Sequence, residues 1–366
     1  MTTKVELVSN LPVPPGEYLE EVLEELGMSK GELATRMGRP LSKLSAIFKG
    51  TKAITPDTAL QLERVTDVPA HIWTGLETDY RLAQARQREE LHEEQCKEET
   101  SLVTTFCYNE LKKLYLVPAH TRAVDKVRAL QEFFGVMSLK DVPQLPRYQV
   151  AFRHKAATES ERSPEAVASW LRVGETRARE AACAPYDKIR LENSLNELRA
   201  MTRKDPDQFS GALTQILADA GVALVACPHF PKTKAHGATF FLTEEKAVLM
   251  VTLRCSWADI FWFSLFHEIG HLLLHGKKEV ILEGSEKNKK EDEADTFARN
   301  CLIAPELWKP FVKSARFDHE GIIRFAKQAG VSSGIVVGRL QHEEYLAQSW
   351  LNELRTRYVF GEKQEA

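Results

Sequence analysis

Residues 261–276 read FWFSLFHEIGHLLLHG and carry His267, Glu268, His271 and His275 inside an otherwise apolar run. On a helix, positions four apart stack on one face, so His267 and His271 can present two imidazoles to one ion. Glu268, beside the first of them, can reach a water on that ion without being a ligand. This is the HExxH arrangement of zinc hydrolases, in which the metal lowers the pKa of water to roughly 7 and the glutamate takes its proton. The alternative is a core helix whose histidines are satisfied by neighbours. The flanks decide for the ion: Phe261, Trp262, Phe263, Leu265 and Phe266 before, and Leu272 to Leu274 after, make the helix apolar all round. Such a helix is central and buried, where polar side chains are costly unless paired or metal-bound. His275, one turn past His271 and just before Gly276, is expected to cap the helix or support the site.

A tetrahedral catalytic site takes a third protein ligand and keeps one position open for water. The segment KKEDEADTFARNCLIAP (289–305) offers acidic residues on a helix whose apolar stripe is Ala294, Phe297, Ala298, Cys301 and Leu302. Seven residues back from Ala298 along that stripe lies Glu291, which therefore points inward. Asp295, four further on, shares that side and can accept from the second nitrogen of a ligand histidine. Glu293 lies further round and is the second choice for the third ligand. Asp292 is nearly opposite and suits a solvated first turn favoured by the helix dipole.

The elements that must position these residues fall into three blocks. Residues 16–76 are a series of short helices, with Gly38 and Gly50 as C-terminal stops and Pro56 at a first helical position. Residues 81–99 are polar almost all round and suit an exposed connecting helix. A second helical block, with EAVASWLRVGETRAREA as its most amphipathic segment, runs to about 203. After Asp205-Pro206, GVALVACPHF and GATFFLTEEKAVLMVTL are β-branched and aromatic and read as strands turning near Glu244-Glu245.

The chain has 366 residues and a net charge of −3, so composition alone gives no pull toward nucleic acid. Six cysteines at 96, 107, 183, 227, 255 and 301 form no CxxC pair, as expected of scattered thiols in a reducing compartment. The first twenty residues lack the pattern of a signal peptide, and no apolar stretch is long enough to span a bilayer. A cytoplasmic protein that does not engage a membrane is expected.

FHEIGHLLLH, EDEADTFA and LIAP, together with the stretches from 151 and from 236, resemble the ImmA/IrrE family of zinc metallopeptidases over roughly 150–345. The resemblance implies Zn2+ as cofactor, with His267, His271 and Glu291 as ligands, Asp295 behind a ligand and Glu268 as the catalytic base. It also implies cleavage of a peptide bond in a protein, often a helix-turn-helix repressor. The GATFFL strand would then be a sheet edge to which an extended substrate adds. The oxyanion-stabilising group stays open among His236, tyrosines and arginines.

At the other end, SKGELATRMGRPLSKLSAIFKG has helix-turn-helix spacing, with Leu33-Ala34, a turn at Gly38, and Leu44 and Ile47 as core of the second helix. With its flanks, it resembles the HigA-like antitoxins of the XRE repressor class over about 12–86. Phosphate contact needs a basic surface, and Lys30, Arg36, Arg39, Lys43, Lys49 and Lys52 face Glu32 alone within 30–52. Lys30, Arg36, Arg39, Leu41, Ser42, Lys43 and Lys49 are the DNA-contact candidates. Leu41 can touch a thymine methyl but cannot hydrogen-bond a base edge. The glutamates of the first helix read as a solvated face.

The expectation is thus a mainly α protein: an N-terminal all-α helix-turn-helix bundle, and an α+β, zincin-like C-terminal domain with a small antiparallel sheet. Its divisions are a helix-turn-helix domain at 1–80, a helical linker at 81–147, a helical lead-in at 148–205, the peptidase core at 206–310 and a helical tail at 311–366. Expected partners are operator DNA bound as a homodimer and a protein substrate, a repressor or antitoxin. The rival readings are a regulator or antitoxin whose metal domain is only a sensor, and a protein that neutralises a toxin partner.

Overall fold

The computed structural model describes residues 13–149, 163–253, 256–276, 281–282 and 289–359. The lead-in stretch at 151–162 and the charged loop at 283–288 lie outside the described residues. Two compact units, Met1–Glu98 and Glu99–Ala366, each have their own core. Among the described residues no helix is long and apolar enough to cross a membrane, and Cys96, Cys107, Cys183, Cys227 and Cys301 are free thiols.

In the first unit, α1 (Pro15–Glu25), α2 (Lys30–Arg36), α3 (Leu41–Phe48) and α4 (Pro56–Thr66) precede the long α5 (Ala70–Glu98). Their starts are encoded locally. Ser29 Oγ accepts from the Glu32 amide at 3.1 Å and Thr55 Oγ1 from the Thr58 amide at 3.3 Å, while Pro15 and Pro56 occupy first-turn positions. Gly38 and Gly50 close α2 and α3 in the left-handed region, at φ 63° and 67°. Gly16 meets a different need: a Cβ there would lie 2.4 Å from Phe48 Cα, so α1 crosses α3 backbone against backbone. Leu19, Leu33, Leu44, Ile47, Leu62 and Trp73 fill the core.

Residues 81–98 continue α5 without a break, whereas 99–147, expected to form a linker with them, fold into the second unit. The reason is a buried carboxylate. Glu99 is fully enclosed and accepts from the Gln131 side chain and the Leu139 amide, both at 3.0 Å, and from the Ser138 hydroxyl. It ties the start of that unit to α8 (Ala123–Phe134), which follows the short helices α6 (Leu102–Thr105) and α7 (Tyr108–Lys113).

The second unit continues through α9 (Pro164–Glu180), α10 (Lys188–Ala200) and α11 (Pro206–Asp219) into a four-stranded sheet. Its strands β1 (Val222–Ala226), β2 (Gly237–Thr243), β3 (Lys246–Val251) and β4 (Ile281–Leu282) lie in the order β1-β3-β2-β4. The antiparallel hairpin appears as expected, with Phe240 opposite Val248. Two expectations need correction. β3 inserts between β2 and β1, and β1 runs parallel to it with Leu224 opposite Leu249, so the sheet is mixed rather than antiparallel. The GATFFL strand is also not an edge, because β4 pairs with it at Ala238 and Thr239.

Both faces of β3 are covered, which is why it reads as a continuous apolar run. Ala247, Leu249 and Val251 join the main core, while Met250 meets α9 at Gly174, where a Cβ would lie 2.1 Å from its sulfur. α12 (Ala258–Leu274) packs on the sheet and against α13 (Lys289–Leu302). α14 (Pro305–Ser314), α15 (His319–Ala329) and α16 (Ser333–His342) complete the unit, with α16 also on α12.

Candidate metal centre

α12 is the apolar histidine helix, central and almost entirely buried. Its approach to α13 depends on Gly270, where a Cβ would come within 3.0 Å of Phe297 Cδ1 and 3.3 Å of Ala294 Cα. That close packing sets the first turn of α13 against the second half of α12. His267, His271 and Glu291 thereby come together, with their candidate donor atoms all within 4.8 Å of one another. His267 Nε2 lies 2.9 Å from His271 Nε2, and Glu291 closes the triangle at 3.4 Å from His267 and 3.2 Å from His271.

The outer nitrogens show what this triangle is built to hold. His267 Nδ1 is 2.9 Å from Asp295 Oδ1, and an ionised carboxylate only accepts, so Nδ1 carries the proton. His275 Nε2 likewise donates to Glu293 Oε2 at 3.0 Å. With His275 donating through Nε2, its Nδ1 is the acceptor for His271 Nδ1, 2.9 Å away. Both inward Nε2 atoms are left as lone pairs, facing each other and a carboxylate. Three donor atoms at such distances are an arrangement that a cation between them would satisfy. Bonds of about 2.0–2.1 Å to a tetrahedral ion place ligand atoms about 3.3 Å apart, and two imidazoles with one carboxylate form a known catalytic zinc donor set. The residues fit the ion.

Electrostatics agree. Burial holds the His271 imidazole below its ordinary range, against the opposing pull of Glu291, and so keeps it neutral.

Glu268 is fully buried on α12 beside the ligand pair. Its space is made by Gly237 at the start of β2, where a Cβ would lie 2.5 Å from Glu268 Oε1 and 2.7 Å from its Cγ. Sequence reasoning missed Gly237; a glycine opening a strand, where a side chain would ordinarily pack, was the available signal. Glu293, the second choice for third ligand, instead holds His275, and Asp292 is exposed. His275 is the C-cap of α12 and also the hydrogen-bond partner of His271.

In the first unit the DNA-contact candidates divide. Lys30 pairs with Glu20 and sits 4.5 Å from the centre of the Phe48 ring, Arg36 pairs with Glu32, and Arg39 donates to Thr58 Oγ1 at 3.0 Å. Lys30 and Arg39 link helices of the bundle, whereas the Arg36 pair lies within α2. Leu41, Ser42, Lys43 and Lys49 are exposed, and α3 starts after Pro40 with no side chain capping its first amides. Among the described residues, Lys43 and Lys49 form no ion pair.

A helix-turn-helix bundle and an α+β unit with a His–His–Glu centre, in one chain, define the class of protein. The chain belongs to the helix-turn-helix family over residues 19–73, and residues 241–341 match the family model of the IrrE N-terminal-like domain, peptidase family M78. The latter span includes His267, Glu268, His271, Glu291 and Asp295. The N-terminal part is similar to virulence-associated protein I of Dichelobacter nodosus, at 37% identity over 76 residues, or 20% of this chain and 70% of that protein. It is also similar to the HTH-type transcriptional regulator YddM of Escherichia coli, at 33% identity over 73 residues, 20% of this chain and 78% of that one. Among solved structures, the Pseudomonas aeruginosa antitoxin HigA with the higBA promoter is 31% identical, covering 22% of this chain and 88% of that one with a TM-score of 0.21.

Proposed function

We propose that the protein is a zinc-dependent endopeptidase joined to a DNA-binding helix-turn-helix domain, and that it cleaves a regulatory protein such as a repressor or antitoxin. The observation that carries this reading is the convergence of His267 Nε2 and His271 Nε2 on the Glu291 carboxylate, with Asp295 and the His275–Glu293 pair bonded to the imidazoles from behind. His267, His271 and Glu291 would hold the zinc, which when bound polarises the scissile carbonyl and acidifies water. Glu268 takes a proton from the attacking water and returns it to the leaving amine. Asp295 and His275 keep the ligand imidazoles in the tautomer that the ion needs. A pure sensor would need the three ligands but not Glu268, whose carboxylate has its own space against Gly237.

In the first unit, the exposed Leu41, Ser42, Lys43 and Lys49 form the surface offered to DNA, and the similarity to a transcriptional regulator supports that use. Glu268→Gln tests the reading: zinc is retained and hydrolysis of a degenerate peptide library falls to background. Unchanged hydrolysis by a zinc-loaded, folded variant would refute it.

A further inference from the structure

A cavity of about 430 Å³ lies in the second unit along the seam between α12 and α13, walled by α16 and by Gln348 and Arg355 of the chain that follows it. We propose that it receives a bulky apolar side chain of the peptide substrate next to the scissile bond; this rests on the endopeptidase reading above.

Position is the first argument. From α12 the cavity is lined by Ile260, Phe263 and Ser264, which lie seven, four and three residues before His267 and so on the same helix face. From α13 it is lined by Arg299, four residues past Asp295. The Phe263 ring centre is 6.3 Å from that of His267. His236, also in the lining, immediately precedes Gly237, whose Cα lies against Glu268. A peptide placed with its scissile bond between Glu268 and the ligand triangle would therefore have the cavity one helical turn away.

Chemistry is the second argument. Ile260, Phe263, Leu302, Ile303 and Ile335 make the walls apolar. Asp259, Arg339 and Arg355, which reach the lining, are already used within the protein, while Arg299 on the α13 wall donates to Thr296 Oγ1 at 3.2 Å. Arg355 makes a two-point pair with Asp259, at 3.0 and 2.8 Å, and Gly338 leaves room for that carboxylate, since a Cβ there would lie 2.2 Å from Asp259 Oδ2. Arg339 pairs with Glu343 at 2.8 Å, donates to the carbonyls of Arg299 and Ile303 at 3.2 Å, and covers the Trp308 ring. Asp259, the carboxylate of the lining, is committed to Arg355, so the cavity has no carboxylate to spare for a basic side chain. A leucine or phenylalanine side chain gains from burial there. The C-terminal helices thus serve as a wall of the substrate site.

The test uses the full chain loaded with zinc and a series of aminoacyl hydroxamates, with acetohydroxamate as control, measured by calorimetric binding. The phenylalanyl and leucyl compounds should bind about 10- to 100-fold more tightly than the alanyl compound, with the lysyl compound no better than alanyl. Ile260→Trp, which fills the cavity, should remove that preference while acetohydroxamate binds as before. A flat series, an acidic or basic preference, or an apolar preference unchanged in a folded Ile260→Trp would overturn the assignment. If Ile260→Trp does not fold, the wild-type series decides alone. No binding of acetohydroxamate would instead refute the zinc site itself, and the pocket assignment with it.

Discussion

His275 Nε2 donates to Glu293 at 3.0 Å, and this bond, outside the ligand triangle, determines which nitrogen of His271 faces Glu291. With His275 Nδ1 made an acceptor, His271 must donate outward through Nδ1 and keep its Nε2 lone pair for the ion. His275→Ala and Glu293→Gln should therefore weaken zinc by about 10- to 100-fold, the usual cost of losing a partner behind a metal ligand. A competitive chelator titration reads this directly. Wild-type affinity in both variants would mean that His271 needs no support.

Gly237→Ala should separate metal binding from catalysis. The added Cβ would lie 2.5 to 2.9 Å from Oε1, Cγ and Cδ of Glu268, so that side chain must shift as a whole, while none of these nearest atoms belongs to His267, His271 or Glu291 and zinc content should survive. The displaced carboxylate no longer sits where the proton must be taken, and hydrolysis of a peptide library should fall at least about 10-fold, the low end for a general base. Equal rates in wild type and variant would show that Glu268 does not need that space.

Acid stability should depend on Glu175, which is buried on α9 among Arg172, Arg179 and Tyr148. Burial would raise its carboxyl, but hydrogen bonds from the two arginines and the tyrosine outweigh it and lower the group from 4.5 to about 2. Because the folded value lies below the unfolded one, the stabilisation is complete above pH 4.5 and is lost as pH falls toward 2. It amounts to about 3 kcal/mol. Glu175→Gln should lose that stability at pH 7, with the difference from wild type shrinking as pH drops through 4.5 in urea titrations. A difference independent of pH would contradict the assignment.

DNA binding should separate two kinds of cation in the first unit. Lys43→Ala, which removes an exposed charge from α3, should weaken binding to a random-sequence duplex and flatten the log–log salt dependence by about one unit. Lys30→Ala should have a smaller effect, since Lys30 is held by Glu20 and Phe48. Equal effects from the two, measured by fluorescence anisotropy over a salt series, would remove the distinction.

Much of the centre was legible because helical spacing is a local property. His267, Glu268 and His271 follow from a four-residue step, and Glu291 and Asp295 from the apolar stripe of α13. Glu293 was misjudged because its partner, His275, lies beyond the end of α12, where helical geometry no longer places side chains. Gly237 and the parallel pairing of β1 depend on contacts between distant segments, which periodicity does not encode. The linker expected at 81–147 failed at Glu99, an ordinary acidic residue in sequence that becomes a buried anchor only through Gln131, Ser138 and Leu139. Likewise, Lys30 and Arg39 looked like free positive charge because their partners, Glu20 on α1 and Thr58 on α4, lie on other helices.

The most direct test of the central claim is the zinc content of the purified full chain after metal loading, measured beside His271→Ala and Glu291→Ala, with folding followed by circular dichroism. The account predicts about one zinc per wild-type chain, the stoichiometry of a single three-ligand site, and loss of the metal in both variants with the fold retained. A folded wild-type protein that takes up no zinc, or variants that keep it, would contradict the account and leave α12 as a core helix whose histidines serve only its packing.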